Sequence, residues 1–505
     1  MIGLIKKEFA WIQMLEQEGV LYQLLDTIPD QYDYPIIINR SLNQYELQQI
    51  QKLLNHGTCI LTDTFNLEKI KPDLKFASRK NRYLLNDGTD IFNNITAIDY
   101  QYAGHNKIFQ SEYGNGNIIA IPFHINQALL DTGNERKPFY YPSRKFPSEI
   151  TAKVNKGVIR KLVINCIRKL YRKMNLNYAH LWYYLNQMQS AFAFRVDTDF
   201  GPESSLQATF DLEDKTGIKF TYFVNTKAHP ALANNKRDFQ IHCYEHLVYK
   251  DYQRNYDNIH KAKSILEKSG INPIGFVSPY GLWNQHIQKA IEDNKLKYSS
   301  EFSFAYDDLP LFPVIENRWS GVMQIPVHPI CIGRLVHASL SQDQCLDYYQ
   351  KYFDKQLQAN EPIFIYDHPH RIIQFPDIFY KILMRAKQLP DIWLTNMTEF
   401  YHWWQARLST LKQSQWQIKQ DQLHINTQNQ TDKIFLHIIT PDQTETFIPL
   451  QQGIYNLQNL SYKNIIKPIM DKTEIANYPK LKSRRTRMQI NFYQCIDKIL
   501  DKIKG

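Results

Sequence analysis

Between residues 190 and 405, short apolar runs alternate with segments of helical spacing. The runs are AFAFRV (191–196), IKFTYFVN (218–225), FQIHC (239–243), IGFVSPYG (274–281), GVMQIPV (321–327) and PIFIYDH (362–368). Strands joined through helices pair in parallel, so this alternation predicts a parallel sheet or a barrel. In such barrels the reactive groups lie at the C-terminal ends of the strands. The chemistry of the chain is therefore expected where the apolar runs stop.

The residues at those ends are titratable. AFAFRV runs into Asp197 and Asp199, which flank Thr198. Two carboxylates at the end of an apolar strand cannot both stay ionised cheaply without a cation beside them. FQI is followed by His242 and His246, a spacing that aims both imidazoles one way if the segment turns helically. His368 and His370 flank Pro369 after the last run. One Asp and two His make a three-ligand set that leaves positions open for water and substrate. Each residue alone reads as a cap or turn former; the combination within one barrel-sized segment points to a site.

These motifs, in this order, resemble the polysaccharide deacetylases of the NodB-homology group, carbohydrate esterase family 4. RVDTDFG (195–201) resembles the first motif, TYFVN (221–225) the strand after the first helix, and IHCYEH (241–246) the H-x-x-x-H motif, with Cys243 where a small hydroxyl residue is more usual. GFVSPYGLWN (275–284) is similar to the third motif and FIYDHPHR (364–371) to the last, while YSSEFSFAYDD (298–308) falls where a substrate-lining segment is expected. The resemblance implies a distorted (β/α) barrel that hydrolyses N-acetyl groups of sugars with a divalent metal: zinc, or else cobalt, manganese or nickel. It implies Asp199, His242 and His246 as metal ligands and Asp197 as general base. It implies the backbone amide of Tyr280 at the oxyanion, and His368 as the acid for the leaving amine, with His370 as the alternative acid. The family's third motif carries an Arg that braces the base; Val277 stands there, leaving Arg195 or Arg371 to supply that charge from another strand.

The rest of the chain is expected to be α/β before the barrel and β after it. YPIIINRS (34–41), the helical LNQYELQQIQKLLNHG (42–57) and TCILTD (58–63) have the size of a βαβ unit, and GNGNIIAIPF (114–123) adds a strand. This arrangement loosely resembles the doubly wound domain of glutamine amidotransferases. Cys59 lacks the flanking glycines of a nucleophile elbow and is expected to be a buried strand residue. The N-terminal MIGLIKKEFAWIQMLEQEG reads as an amphipathic helix. Residues 411–465 alternate apolar and polar side chains between turns, the pattern of a small antiparallel β-domain. The expected organisation is an α/β domain (1–150), a basic helical connector (151–189), the barrel (190–408), the β-domain (411–465) and a basic tail (466–505).

Sixty Lys+Arg against 50 Asp+Glu give a net charge of +10, unevenly placed. Residues 151–180 hold eight basic residues and no acidic one, and KLKSRRTR (480–487) marks a basic tail. Helix 158–174 would place Val158, Leu162, Cys166, Leu170 and Met174 on one face and Arg160, Lys161, Arg168, Lys169, Arg172 and Lys173 on the others. It reads as a connector with a solvated basic face, or as a surface helix drawn to an anionic membrane. No aromatic ladder accompanies the basic runs, so no nucleic-acid partner is expected. Six scattered cysteines without a C-x-x-C pair, no signal-peptide pattern and no long apolar run point to a reducing, cytoplasmic or membrane-peripheral setting. The leading reading is a deacetylase of a surface-glycan or cell-envelope sugar. The alternatives are a metal-free amidohydrolase on the same barrel and an inactive glycan-binding protein.

Overall fold

The computed structural model describes residues 1–74, 81–85, 96–100, 108–139, 147–230, 236–428 and 431–465. The basic run 480–487 and the expected closing helix lie outside the described residues.

A six-stranded sheet occupies the N-terminal part. Its order is Tyr22–Leu24, Ile2–Leu4, Ile36–Ile37, Ile60–Asp63, Gly116–Ile121 and Phe109–Tyr113, with every pair parallel except the last. The period of two along these strands feeds two cores. Ile37, Leu61, Ile119 and Ile121 face one, and Ile36, Ile60, Ile118 and Ala120 the other. Helix Gln44–Asn55, started by an Asn43 capping box, covers the second core. Helices Phe9–Glu18 and Lys156–Lys173 cover the first. The opening residues are therefore a strand followed by a helix rather than one helix, because Ile2 and Leu4 are central sheet residues with no exposed surface. Cys59 is buried beside its strand, and burial pushes its thiol above the usual range.

The second sheet is parallel throughout and curls into a half barrel. Its order is Met323–Gln324, Tyr298–Ser299, Gly275–Phe276, Asp238–Cys243, Phe220–Asn225, Ser190–Asp197 and Ile363–Asp367; Ile392–Leu394 also pairs with the start of Ser190–Asp197. The His328 amide donates to the Phe364 carbonyl at 2.8 Å, linking the chain after one edge to the strand at the other. All eight residues of Ser190–Asp197 are buried, as in a parallel strand packed on both faces. Helix Met397–Lys412 places Trp404 and Phe400, both unexposed, in the barrel's core.

Two antiparallel sheets follow. One has the order Ser414–Lys419, Gln422–Thr427, Gly453–Asn456; the other, Tyr178–Leu181, Phe435–Ile439, Thr444–Pro449, Lys463–Asn464. They share a core of Leu181, Leu423, Ile425, Leu436, Ile438 and Ile448. The expected connector is thus not wholly helical, since Tyr178–Leu181 pairs with Phe435–Ile439. Among the described residues no helix is long and apolar enough to cross a membrane.

The expected basic face of the helix is also corrected. Arg160 is only 2% exposed and Lys156 3%, so both belong to the interior. Arg160 Nε donates to Asp308 Oδ1 at 2.9 Å, Nη1 to Glu18 Oε2 at 3.3 Å, and Nη2 to Glu361. Glu18 closes the first helix of the α/β sheet, Asp308 follows a barrel strand and Glu361 precedes another. Glu18 also accepts from Arg168 Nη2 at 3.0 Å, Tyr178 at 3.1 Å and Tyr183 at 2.7 Å. What helical spacing assigned to solvent is turned inward because carboxylates distant in sequence wait there. Arg172 and Lys173, in the last turn, remain exposed.

Removing one partner of a buried ion cluster strands the others, at about 3–5 kcal/mol. Arg160→Met is therefore expected to lower the urea midpoint of unfolding by that equivalent. Arg172→Met on the same helix should stay within about 0.5 kcal/mol of wild type.

Candidate metal centre

The ends of the parallel strands bring Asp197, Asp199, His242, His246, His368 and His370 into one pocket. Asp197 is the last residue of Ser190–Asp197, and Asp199 follows in the turn with φ of +45°. That left-handed conformation is costly for a residue with a Cβ, and such conformations cluster at functional sites. His242 lies in strand Asp238–Cys243 and His246 in the bend after it. No helical turn carries the H-x-x-x-H pair; the bend achieves the same convergence. His242 Nε2 and His246 Nε2 each lie 3.0 Å from Asp199 Oδ1.

The tautomer of His242 is set by its other nitrogen. Nδ1 meets the Val277 carbonyl at 2.8 Å, so in the neutral ring it carries the proton and leaves the Nε2 lone pair free to hold a cation beside Asp199. Burial pushes the His246 imidazole below its usual value, which favours the neutral ring. Burial alone would raise the Asp199 carboxyl, but the His368 charge, followed by the adjoining His242 and His246 imidazoles, outweighs it and lowers the group below its usual range. One oxygen and two imidazole nitrogens, all within 4.8 Å of one another, fit a small divalent cation with further positions open.

Asp197 is braced by its own strand. Arg195 Nε donates to Asp197 Oδ1 at 2.7 Å and Nη2 to Oδ2 at 2.5 Å. The side-chain period of two puts residues 195 and 197 on one face. Arg195 is fully buried, with its guanidinium 4.9 Å from the Tyr366 ring centroid and 5.6 Å from that of Phe223. Its Nη1 donates to the Ser300 carbonyl at 2.7 Å. Of the two arginines that sequence left open as the brace, Arg195 takes the part. Arg371 instead donates to Gln374 at 2.6 Å.

His368 Nε2 lies 3.4 Å from Asp199 Oδ2 and its Nδ1 3.6 Å from Asp367 Oδ1. Burial would lower this imidazole, but Asp199, followed by Asp367 and Cys331, holds it well above its usual value. His370 is largely exposed, and partial desolvation followed by the neighbouring His368 charge lowers it. Cys331 and Asp367, which sequence reading passed over, stand with His368 as a second close group. Asp367 carried a signal, as the residue that ends an apolar run.

Tyr280 sits in a short turn, Pro279–Gly281, with φ of +61° and its ring centroid 4.9 Å from that of His246. The turn is held from behind by segment 298–308. Glu301 Oε1 accepts from the Ser278 amide at 3.1 Å, and the Ser303 amide donates to the Gly281 carbonyl at 3.1 Å. Gly281 has φ of +59°, and a Cβ there would come within 2.3 Å of Phe302. Segment 298–308 was expected to line the substrate; only Phe302 of it reaches the pocket, while Ser300, Glu301 and Ser303 support Arg195 and the turn and Asp308 pairs with Arg160. The pocket, about 230 Å³, is lined by Asp197, Asp199, His242, His246, Tyr280 and His368 together with Glu149, Cys331, Arg334 and Arg371. Glu149 comes from strand Ser148–Ala152, before the barrel, and gave no sequence signal.

No family model matches the sequence, and no curated protein matches it. Solved structures similar to part of the chain include a protein described as a polysaccharide deacetylase from Mycobacterium smegmatis, at 15% identity and a TM-score of 0.39, covering 44% of this chain and 92% of that one. A second protein so described, from Pseudomonas aeruginosa PAO1, has 13% identity and a TM-score of 0.36, covering 43% and 92%. Puue allantoinase has 14% identity and a TM-score of 0.36, covering 44% and 92%.

The brace gives a test. Arg195→Met leaves Asp197 as a buried charge without its partner and should cost about 3–5 kcal/mol in urea unfolding. Adding Asp197→Asn should recover part of that loss, because the stranded charge is gone.

Proposed function

We propose that the chain is a metal-dependent hydrolase that removes N-acetyl groups from a carbohydrate of the cell surface or envelope. The observation that carries this reading is the convergence of Asp199, His242 and His246 beside a braced Asp197 and a separate His368 in one pocket. Three ligand atoms within 4.8 Å of one another favour this reading over a metal-free amidohydrolase.

In this reading Asp199 Oδ1, His242 Nε2 and His246 Nε2 hold the cation, zinc by the character of the donors. A bound divalent cation would supply Lewis acidity, making water easier to deprotonate and polarising the acetamido carbonyl. Asp197 takes the proton of the attacking water, with Arg195 holding both of its oxygens and fixing the carboxylate plane. The Tyr280 backbone amide donates to the oxygen on which charge develops. His368, directly after strand Ile363–Asp367 and next to Asp367, gives a proton to the departing amine nitrogen. Base and acid are thus separate groups, each with its own charged neighbour. The segments before and after the barrel are proposed as an α/β domain and a β-domain, and the chain before the barrel supplies Glu149 to the pocket.

Two substitutions test the assignment. His246→Ala should lose stoichiometric zinc by elemental analysis. Asp197→Asn should keep zinc but reduce acetate release from N-acetylated oligosaccharides by at least 10²-fold, the scale of general base catalysis. Loss of zinc in Asp197→Asn would exchange the roles of the two aspartates.

A further inference from the structure

We infer that the substrate is an acidic N-acetylated sugar, whose phosphate or carboxylate is held by Arg334 and Arg371 in the wall of the same pocket; this rests on the deacetylase reading above. Three carboxylates line the pocket, and each is already engaged. Asp197 is held by both arms of Arg195, and Asp199 faces three imidazoles. Glu149, 4% exposed, accepts from its neighbour Ile150 N and from Arg334 Nε at 2.5 Å. That single bond through Nε fixes the Arg334 guanidinium while using none of its terminal nitrogens. Among the described residues those two nitrogens have no partner, and the side chain is 37% exposed.

Arg371 lies against the same wall. A Cβ on Gly333 would sit 3.3 Å from Arg371 Nε and 3.9 Å from its Cζ, so the glycine lets the second guanidinium approach beside Arg334. Its hydrogen-bond partner there is the neutral Gln374 amide. Glu149 is spent on Arg334 through Nε, so the wall holds two guanidinium groups against one carboxylate, and no pocket carboxylate is left to pair with Arg371. A neutral acetamido sugar has no group that needs two guanidinium forks, whereas a phosphate or carboxylate accepts from them in pairs. The acetamido group would meet the metal centre while the anionic group meets this wall.

The test uses the full-length, zinc-loaded protein and calorimetric titration with N-acetylglucosamine 1-phosphate, an N-acetylglucosamine–glucuronic acid disaccharide and neutral di-N-acetylchitobiose. Wild type should bind one of the acidic ligands roughly tenfold to hundredfold more tightly than the neutral one, the range for hydrogen bonds to charged groups. The tighter of the two tells phosphate from carboxylate. The preference should collapse in Arg334→Gln and weaken in Arg371→Gln. Should Arg334→Gln not fold, salt decides in wild type: affinity for the preferred acidic ligand falls as salt rises, while that for chitobiose does not. Equal affinities, or a preference that survives both substitutions, would overturn the inference. Acetate release is followed on the same three ligands. Release without an acidic preference defeats the inference alone; an acidic preference without release from any ligand defeats the deacetylase reading and leaves the anion site standing.

Discussion

Glu18, Asp308 and Glu361, from three separate parts of the chain, converge on the guanidinium of Arg160, and the mutual placement of the N-terminal sheet and the barrel depends on that convergence. Desolvating an arginine is expensive unless every charged neighbour is in register. The cluster is therefore an orientational constraint more than a source of net stability. From Glu18 the polar chain continues through the backbone carbonyl to His180 Nδ1 at 2.9 Å, from His180 Nε2 to His437 Nδ1 at 2.9 Å, and from His437 Nε2 to Glu445 at 2.9 Å. The α/β sheet, the barrel and the antiparallel sheets are thus tied by one buried network. With those parts fixed, strand Ser148–Ala152 lies against the barrel mouth, where Glu149 meets Arg334.

The barrel's chemistry follows from its parallel sense. Every strand ends on the same side, so Asp197, His242 and Asp367 arrive together without contacts designed for each pair. The turn after the first strand then places Asp199 between the two histidines. Its left-handed backbone is stabilised from outside: Thr198 Oγ1 accepts from the Asn225 amide at 3.0 Å and the Thr198 amide donates to the Phe223 carbonyl at 3.0 Å. A neighbouring strand thereby imposes the conformation that residue 199 would not choose alone.

Sequence made legible what repeats locally. The six apolar runs, the residues closing them and the α/β alternation near the N-terminus all rest on periods of two or 3.6 residues. It was less informative wherever partners come from far away. Helical spacing sent Arg160 to solvent because nothing near residue 160 announces Glu18, Asp308 or Glu361. The i, i+4 spacing of His242 and His246 suggested a helix, while the chain bends, because a bend after a strand can aim two rings as a helical turn does. Residues 298–308 read as substrate-lining from their position, yet Ser300, Glu301 and Ser303 spend their polar groups on Arg195 and on the turn around Tyr280. Glu149 carries no local mark at all, being an ordinary charged residue in a five-residue strand.

The apolar side chain at position 277 has a physical account. The resemblance leads one to expect an arginine there, and Val277 is buried without exposed surface. What the site takes from this residue is its carbonyl, which orients His242, and a carbonyl is indifferent to the side chain it accompanies. The arginine that holds Asp197 is Arg195, two residues earlier on the same strand face, where no second loop has to be in place for it to act. An arginine sealed between Tyr366 and Phe223 would be a costly ornament in an inert scaffold, since a well-packed apolar residue would serve the core as well or better. Its position makes sense if the orientation of Asp197 matters to chemistry in the pocket. Arg371, which Asp197 does not engage, lines the pocket wall and is held by Gln374.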